Sequence, residues 1–68
     1  MTAVESSDLK AVDFDEWSAT LTIEFHSGGV YEYYGVPFSV YSELLNARSH
    51  GKYFRAHIKD RYRYRRIR

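Results

Sequence analysis

Residues 20–34 read TLTIEFHSGGVYEYY, and this stretch decides the fold because it has the pattern of a β-hairpin. Apolar and polar side chains alternate along residues 20–26, which is the period of a strand with one buried face. The pair Gly28-Gly29 supplies the positive φ that a tight turn requires. Residues 30–34 then read as the returning strand, so the sequence predicts two antiparallel strands joined by a short turn.

The segments on either side extend this hairpin into an α+β fold. Residues 9–14 alternate as well and predict a strand before the hairpin. After Tyr34 the apolar spacing becomes helical, and Pro37 or Ser39 is placed to start a first short helix. Ser49 is placed to cap a second one. The predicted fold is therefore a three-stranded antiparallel β-meander followed by two short helices.

The two ends of the chain are predicted to differ from its centre. Residues 1–7 have no clear period and are expected to form a loose lead-in. Residues 61–68 form a basic C-terminal arm, and the alternation within residues 62–67 fits either an exposed arm or a short additional strand. No internal repeat or linker divides the chain, so a single domain spanning residues 1–68 is expected.

The length of 68 residues leaves room for only a small core, and there is no cysteine to form a disulfide. Seven tyrosines, four phenylalanines and one tryptophan make aromatic burial and self-association the remaining stabilising factors, so a homo-oligomer is expected. Trp17 is interpreted either as a lid on the core or as an interface anchor. No apolar run is long enough for a signal peptide or a membrane span, which predicts a soluble, cytoplasmic protein without a membrane partner.

Charge divides the chain into two halves. Residues 1–34 carry one base and seven acids, whereas residues 35–68 carry nine bases and two acids, although the formal net charge is only +1. A basic end interleaved with tyrosines suits phosphate contact combined with base stacking. It equally suits docking on an acidic surface, including the N-terminal half of another copy.

Several short motifs follow one another along residues 6–67. They are Ser6-Ser7, the strand 20–25, Ser27-Gly28-Gly29, Tyr31-Glu32-Tyr33, Val36-Pro37, Val40-Tyr41, Ala47-x-Ser49-x-Gly51-x-Tyr53-Phe54, His57-Ile58 and Tyr62-x-Tyr64. In this order they resemble the KTSC domain, a family named for an appendage at the C-terminus of some lysyl-tRNA synthetases and also found as small separate proteins. The resemblance implies a non-catalytic accessory domain, for which the synthetase context suggests RNA binding.

The candidate ligand-binding residues come from the second half of the chain. Arginine forks match phosphate oxygens and also stack on bases. The predicted phosphate contacts are Arg55, Lys59, Arg61, Arg63, Arg65 and Arg66. The predicted stacking residues are Tyr34, Tyr62 and Tyr64. Tyr31 and Tyr33 project together from one strand face and are either stacking residues or core, with core favoured, which would place the functional face on the other side of the sheet.

Neither catalysis nor metal binding is indicated by the sequence. The three histidines have no metal-ligand spacing, and no nucleophile has an identifiable base beside it. The acids Asp13, Asp15 and Glu16 are expected to solvate a turn or to pair with arginines of a neighbouring copy rather than to hold a cation. No enzyme activity, metal or cofactor is therefore predicted.

The functional prediction is a non-enzymatic domain that binds a phosphate-bearing ligand, with RNA favoured. Two alternatives stay open. The first is a small oligomeric protein of bacterial or viral origin that sequesters a nucleotide-type small molecule between subunits. The second is a protein–protein assembly module, in which the acidic half of one copy meets the basic half of the next.

Overall fold

The predicted hairpin forms the centre of an antiparallel sheet of five strands. The computed structural model describes all residues, 1–68. The strands are β1 (Thr2–Ala3), β2 (Leu9–Asp15), β3 (Thr20–Phe25), β4 (Val30–Tyr33) and β5 (Tyr64–Arg66), and the helices are α1 (Phe38–Asn46) and α2 (His50–His57). The strands lie side by side in chain order, and the two helices connect β4 to β5.

The α+β class, the antiparallel sheet and the two helices are confirmed, but the prediction of a three-stranded sheet is wrong in number. β1 lies inside the predicted loose lead-in and pairs with β2. The alternation in the C-terminal arm does correspond to a strand, because β5 pairs with β4. Both edge strands are only two or three residues long and their side chains are exposed, so burial imposes no clear alternation on their sequence.

The register of the sheet gives it two chemically different faces. One face is covered by the helices and is called the helix face; it carries the paired rows Val12, Ile23, Tyr31, Arg66 and Phe14, Leu21, Tyr33, Tyr64. The other, called the open face, carries the rows Asp13, Thr22, Glu32, Arg65 and Ala11, Glu24, Val30. Adjacent residues of each strand thus point to opposite faces.

A β-bulge in β2 adjusts this alternation at the start of the sheet. Leu9 pairs with Phe25 and Ala11 pairs with Glu24, which leaves Lys10 as an extra residue on β2. Because the bulge shifts the alternation by one residue, Leu9 is fully buried although it precedes the buried Val12 by three positions.

The core lies between the helix face and the two helices. Its nine buried members are Leu9, Val12, Leu21, Ile23, Tyr33, Val36, Leu44, Phe54 and Ile58. As the sequence predicts, Pro37 directly precedes α1 and Ser49 caps α2; the Ser49 side-chain oxygen accepts a hydrogen bond from the Lys52 backbone N–H at 3.2 Å. Neither helix combines the length and the apolar character needed to cross a membrane.

Candidate functional site

Three tyrosines meet on the helix face at the β4–β5 edge of the sheet. The ring centroids of Tyr33 and Tyr64, which are register partners, lie 5.8 Å apart. Tyr31 lies 6.4 Å from Tyr33 and 6.0 Å from Tyr64 by the same measure. Because Tyr31 and Tyr33 are two residues apart on one strand and Tyr64 lies on the next, the alternation of side chains places all three rings on one surface.

These rings line an open groove of about 320 Å³. α2 forms its opposite wall, since the Phe54 ring packs edge-on at 5.4 Å from Phe25 and 5.7 Å from Tyr33. The lining residues are Phe25, Ser27, Tyr31, Tyr33, Phe54, Lys59, Asp60 and Tyr64. We call this set the aromatic groove.

Burial differs sharply between the floor and the rim of the aromatic groove. Tyr33 is only 5% exposed and belongs to the core, whereas Tyr64 is 57% exposed and Tyr31 is partly buried. Burial, together with the neighbouring Tyr31, Tyr64 and Asp60, raises the pKa of Tyr33 to about 12. The groove therefore has a buried phenol ring in its floor, which stays neutral to a more alkaline pH than usual, and a solvent-exposed ring at its rim.

Basic side chains border the aromatic groove. Lys59 lines it directly, and the Arg66 guanidinium lies 5.8 Å from the centroid of the Tyr31 ring, within the range of a cation–π contact. Arg66 is further oriented by its Nε, which donates a hydrogen bond to the Arg68 carbonyl at 3.0 Å. A Cβ at position 29 would lie only 3.2 Å from Tyr31 Cε1 and 3.6 Å from Arg66, so Gly29 lets the hairpin turn lie close under this pair.

The structure distributes the six predicted phosphate-binding residues over different surfaces. Lys59 and Arg66 lie at the aromatic groove. Arg61 and Arg63 are exposed on the loop before β5 and make no ion pair. Arg55 instead pairs with Asp8 across 2.8 Å, and Arg65 lies on the open face 3.8 Å from Glu32.

The three predicted stacking tyrosines do not share a surface. Tyr64 lines the aromatic groove. Tyr34 donates its hydroxyl to Glu32 Oε1 at 2.9 Å, and desolvation and this carboxylate raise the pKa of Tyr34. Tyr62 is partly buried and packs against the core. The aromatic surface lies on the helix face, so the expectation that the functional face is the other side of the sheet does not match the position of the groove.

Phe25 and Phe54 were not among the predicted site residues, and Tyr31 and Tyr33 were predicted to be either stacking residues or core, with core favoured. Tyr33 and Phe54 are indeed buried, and both serve as core and as groove lining. The usable signal was the large number of aromatic residues in a chain with room for only a small core.

The acidic and basic halves of the sequence meet within one chain. Besides the pairs of Arg55 and Arg65, Arg68 lies 3.7 Å from Glu24 on the open face. The C-terminal strand therefore brings part of the basic arm to the acidic half of its own chain. Exposed pairs of this kind contribute little to stability, but they reduce the charge available to a partner.

The polar groups form no arrangement with the geometry of a metal centre. No group of three or more His, Cys, Asp or Glu side chains is placed to hold a metal ion. His26 Nε2 lies 2.9 Å from the Ser6 carbonyl oxygen, and His50 Nδ1 lies 2.7 Å from the Leu44 carbonyl oxygen. These two rings connect neighbouring segments of the fold, while His57 is exposed beside Tyr53.

The sheet, its two covering helices and the groove at one edge define a small α+β domain with one aromatic groove. The chain belongs to the KTSC domain family, which matches residues 5–62. This confirms the resemblance found in the motifs. A KTSC domain protein from Yersinia pestis has a crystal structure that superimposes with a TM-score of 0.96 at 31% identity, covering 98% of this chain and 94% of that one.

Two kinds of relative are similar to this chain in sequence. A lysine–tRNA ligase from Nostoc sp. is 47% identical over 60 residues, which are 88% of this chain but 11% of the ligase. An uncharacterised protein from Stutzerimonas stutzeri is 41% identical over 66 residues, covering 96% of this chain and 93% of that protein. The chain thus spans about a tenth of the ligases that it matches and nearly all of the small relatives.

Proposed function

We propose that this KTSC domain is a non-enzymatic binding domain for a phosphate-bearing ligand with an aromatic base, RNA being favoured, and that it binds at the aromatic groove. The observation that carries the proposal is the grouping of Tyr31, Tyr33 and Tyr64 on one sheet surface bordered by Lys59 and Arg66. Sheet surfaces with exposed aromatic rings are one of the common ways in which proteins hold unpaired bases.

Each part of the groove has a distinct role in this proposal. An unpaired base stacks on the exposed ring of Tyr64, and such stacking is worth about 1–3 kcal/mol per base. The flanking phosphates contact Lys59 and Arg66, and a longer strand reaches Arg61 and Arg63. Arg55 and Arg65 have no part in it, because their guanidinium groups already pair with carboxylates of the chain.

The relation to lysine–tRNA ligases supports RNA over other phosphate-bearing ligands. Those enzymes act on tRNA, as their name states, and the matched segment makes up only 11% of the length of the Nostoc enzyme. An accessory domain that adds contacts to single-stranded RNA is consistent with that context, and the groove supplies the stacking and charge that such contacts need.

The test compares two tyrosines on opposite sides of the sheet. In fluorescence anisotropy titrations with a labelled single-stranded RNA, Tyr64→Ala is expected to weaken binding about 5- to 150-fold, the equivalent of one lost stacking contact. Tyr34→Ala, whose hydroxyl contacts Glu32 outside the groove, is the matched control and should bind as the unchanged protein does. Equal losses in both variants, or no binding at low salt, would contradict the proposal.

A nucleotide-type small molecule is the second candidate, and the size of the groove favours it. A cavity of about 320 Å³ lies at the lower end of the range for small-molecule pockets, roughly 300–1,000 Å³. The groove is formed within one chain, so this version needs no second subunit. Binding of RNA should weaken steeply with added salt through counterion release, whereas capture of one nucleotide should weaken far less. Native mass spectrometry of the purified protein would reveal a captured molecule directly.

A further inference from the structure

The single tryptophan of the chain is exposed to solvent without a partner. Trp17 is 99% exposed and stacks on no other aromatic ring. It projects from the turn between β2 and β3, where its backbone N–H donates to Asp15 Oδ1 at 3.0 Å. Ala19 closes this turn with a φ of 54°, and its carbonyl accepts a hydrogen bond from the Val36 N–H at 3.0 Å. The turn is therefore a fixed structure that presents an indole ring outward.

Three acidic residues precede this indole within four positions of the sequence. Asp13, Asp15 and Glu16 are all exposed, and none of them pairs with a base of the chain. The turn thus combines one large apolar group with three uncompensated negative charges. We call residues 13–19, the end of β2 and the turn that follows it, the tryptophan turn.

The aromatic groove has the complementary properties. Its lining is mostly aromatic, and its volume of about 320 Å³ can admit one large aromatic side chain. Of the bases, Lys59 lines it and Arg66 lies over its Tyr31 ring. Neither pairs with an Asp or Glu side chain, and Asp60 is the one acid in the lining. An apolar concavity with a basic border matches an apolar projection with an acidic border.

We propose that the tryptophan turn of one copy docks into the aromatic groove of a second copy. The complete exposure of Trp17 shows that the groove of the same chain does not hold it. The contact joins two different surfaces, so a pair of copies keeps one free groove on the first copy and one free turn on the second, and association continues into rings or chains. Trp17 would be the anchor of the contact, because tryptophans in desolvated pockets contribute most to interface affinity.

This inference goes beyond the proposed function, since it requires the groove but not an affinity of the groove for RNA. If both hold, RNA and the second copy exclude each other at one surface. Self-association would then decrease when RNA is added, and RNA binding would weaken as the protein concentration rises. Ligand binding at the groove would therefore depend on protein concentration.

The experiment uses Trp17 as its own reporter, because it is the only tryptophan. Sedimentation velocity and tryptophan emission are recorded over a wide range of protein concentration at low salt. We expect the mass to rise and the emission to shift to the blue together, and both effects to weaken with added salt. Trp17→Ala should stay monomeric. Phe38→Ala removes another exposed aromatic residue, 56% exposed and outside the groove, and should associate as the unchanged protein does.

Mixing two variants tests which surfaces meet. Trp17→Ala keeps the groove and Tyr64→Ala keeps the turn, so each alone should be monomeric, whereas the mixture should form one-to-one dimers and nothing larger. Lys59→Glu, an exposed charge reversal, serves as a second groove variant in the same mixture. Three outcomes would each overturn the proposal: unchanged Trp17 emission at all concentrations, association of Trp17→Ala, or a mixture that stays monomeric.

Failure of this inference is distinguishable from failure of the proposed function. Trp17→Ala leaves the groove intact, so its RNA binding should be at least as strong as that of the unchanged protein. Self-association without RNA binding would contradict the proposed function alone, and RNA binding by a protein that stays monomeric would contradict the docking alone.

Discussion

The two faces of the sheet are built from adjacent residues of the same strands, yet they have opposite chemistry. On the helix face, Ile23 and Tyr33 are buried in the core. On the open face, their neighbours Thr22 and Glu32 lie in a row that ends at Arg65 and contains only polar and charged side chains. The first face has the contacts that hold the fold together, whereas the second is exposed or half-buried apart from Val30.

The difference shows why the aromatic groove lies where it does. Aliphatic side chains make up most of the core, and aromatic rings complete the helix face towards the β4–β5 edge. The two short helices cover the centre of that face but not the β4–β5 edge, where Tyr64 stays largely exposed. The binding surface that we propose is thus the uncovered margin of the core, whereas the open face, despite its many charges, pairs several of them internally.

The largest loss of stability is expected when Ile23 on the helix face is replaced by Ala. Ile23 is fully buried, so the truncation leaves a cavity and should cost about 2–5 kcal/mol. A core of this size rarely supplies more than about 3–5 kcal/mol of net stability, so the variant should be largely unfolded. Urea unfolding followed by far-ultraviolet circular dichroism measures the loss.

The matched control is Thr22→Ala, one residue along the same strand on the open face. Its cost should not exceed about 1 kcal/mol, the span of strand propensities. Similar losses in the two variants would show that the faces do not differ in their contribution to stability.

The sequence alone was sufficient to predict the elements whose signals lie within a few neighbouring residues. The hairpin followed from alternation and from Gly28-Gly29, and the helix starts followed from Pro37 and Ser49, because each of these signals acts within a few residues. The bulge at Lys10 depends on how β2 pairs with β3, which no local pattern reveals.

The groove was predictable only in part for the same reason. Tyr64 was identified as a stacking residue and does line the groove, whereas Tyr31 and Tyr33 were predicted to be either stacking residues or core, with core favoured. Tyr33 is a core residue that also lines the groove, and Tyr31 is partly buried. Their exposure depends on how far the helices extend over the sheet, which is a property of the tertiary structure. The pairing of Arg55 with Asp8, 47 residues apart, is equally non-local.

Raising the pH to alkaline values should destabilise the helix face by less than Ile23→Ala does. Burial raises the pKa of Tyr33 to about 12 from a usual value of 10, so the folded state favours the neutral phenol. The corresponding stabilisation is fully present below pH 10 and is lost as the pH rises towards 12, because the unfolded chain ionises first. It amounts to at most about 2.7 kcal/mol for two pKa units.

Tyr33→Phe isolates this contribution, since phenylalanine cannot ionise. Stability measured from pH 8 to about 12 should fall more steeply in the unchanged protein than in Tyr33→Phe. The other tyrosines with a raised pKa, Tyr34 and Tyr53, act in the same direction in both proteins and cancel in the difference. Parallel curves would mean that Tyr33 ionises as freely in the folded protein as in the unfolded one.

The smallest loss of stability is expected when one ion pair of the open face is removed. Arg65 lies 3.8 Å from Glu32 and is well exposed, and exposed pairs are worth roughly 0.2–1 kcal/mol. Arg65→Ala should therefore lower the free energy of unfolding by less than about 1 kcal/mol, and added salt should reduce the difference further. Arg61→Ala, which removes an arginine without an ion pair, is the control in the same urea titrations. A larger loss in Arg65→Ala that persists at high salt would mean that the open face stabilises the sheet through Arg65, and the division of roles between the two faces would then be wrong.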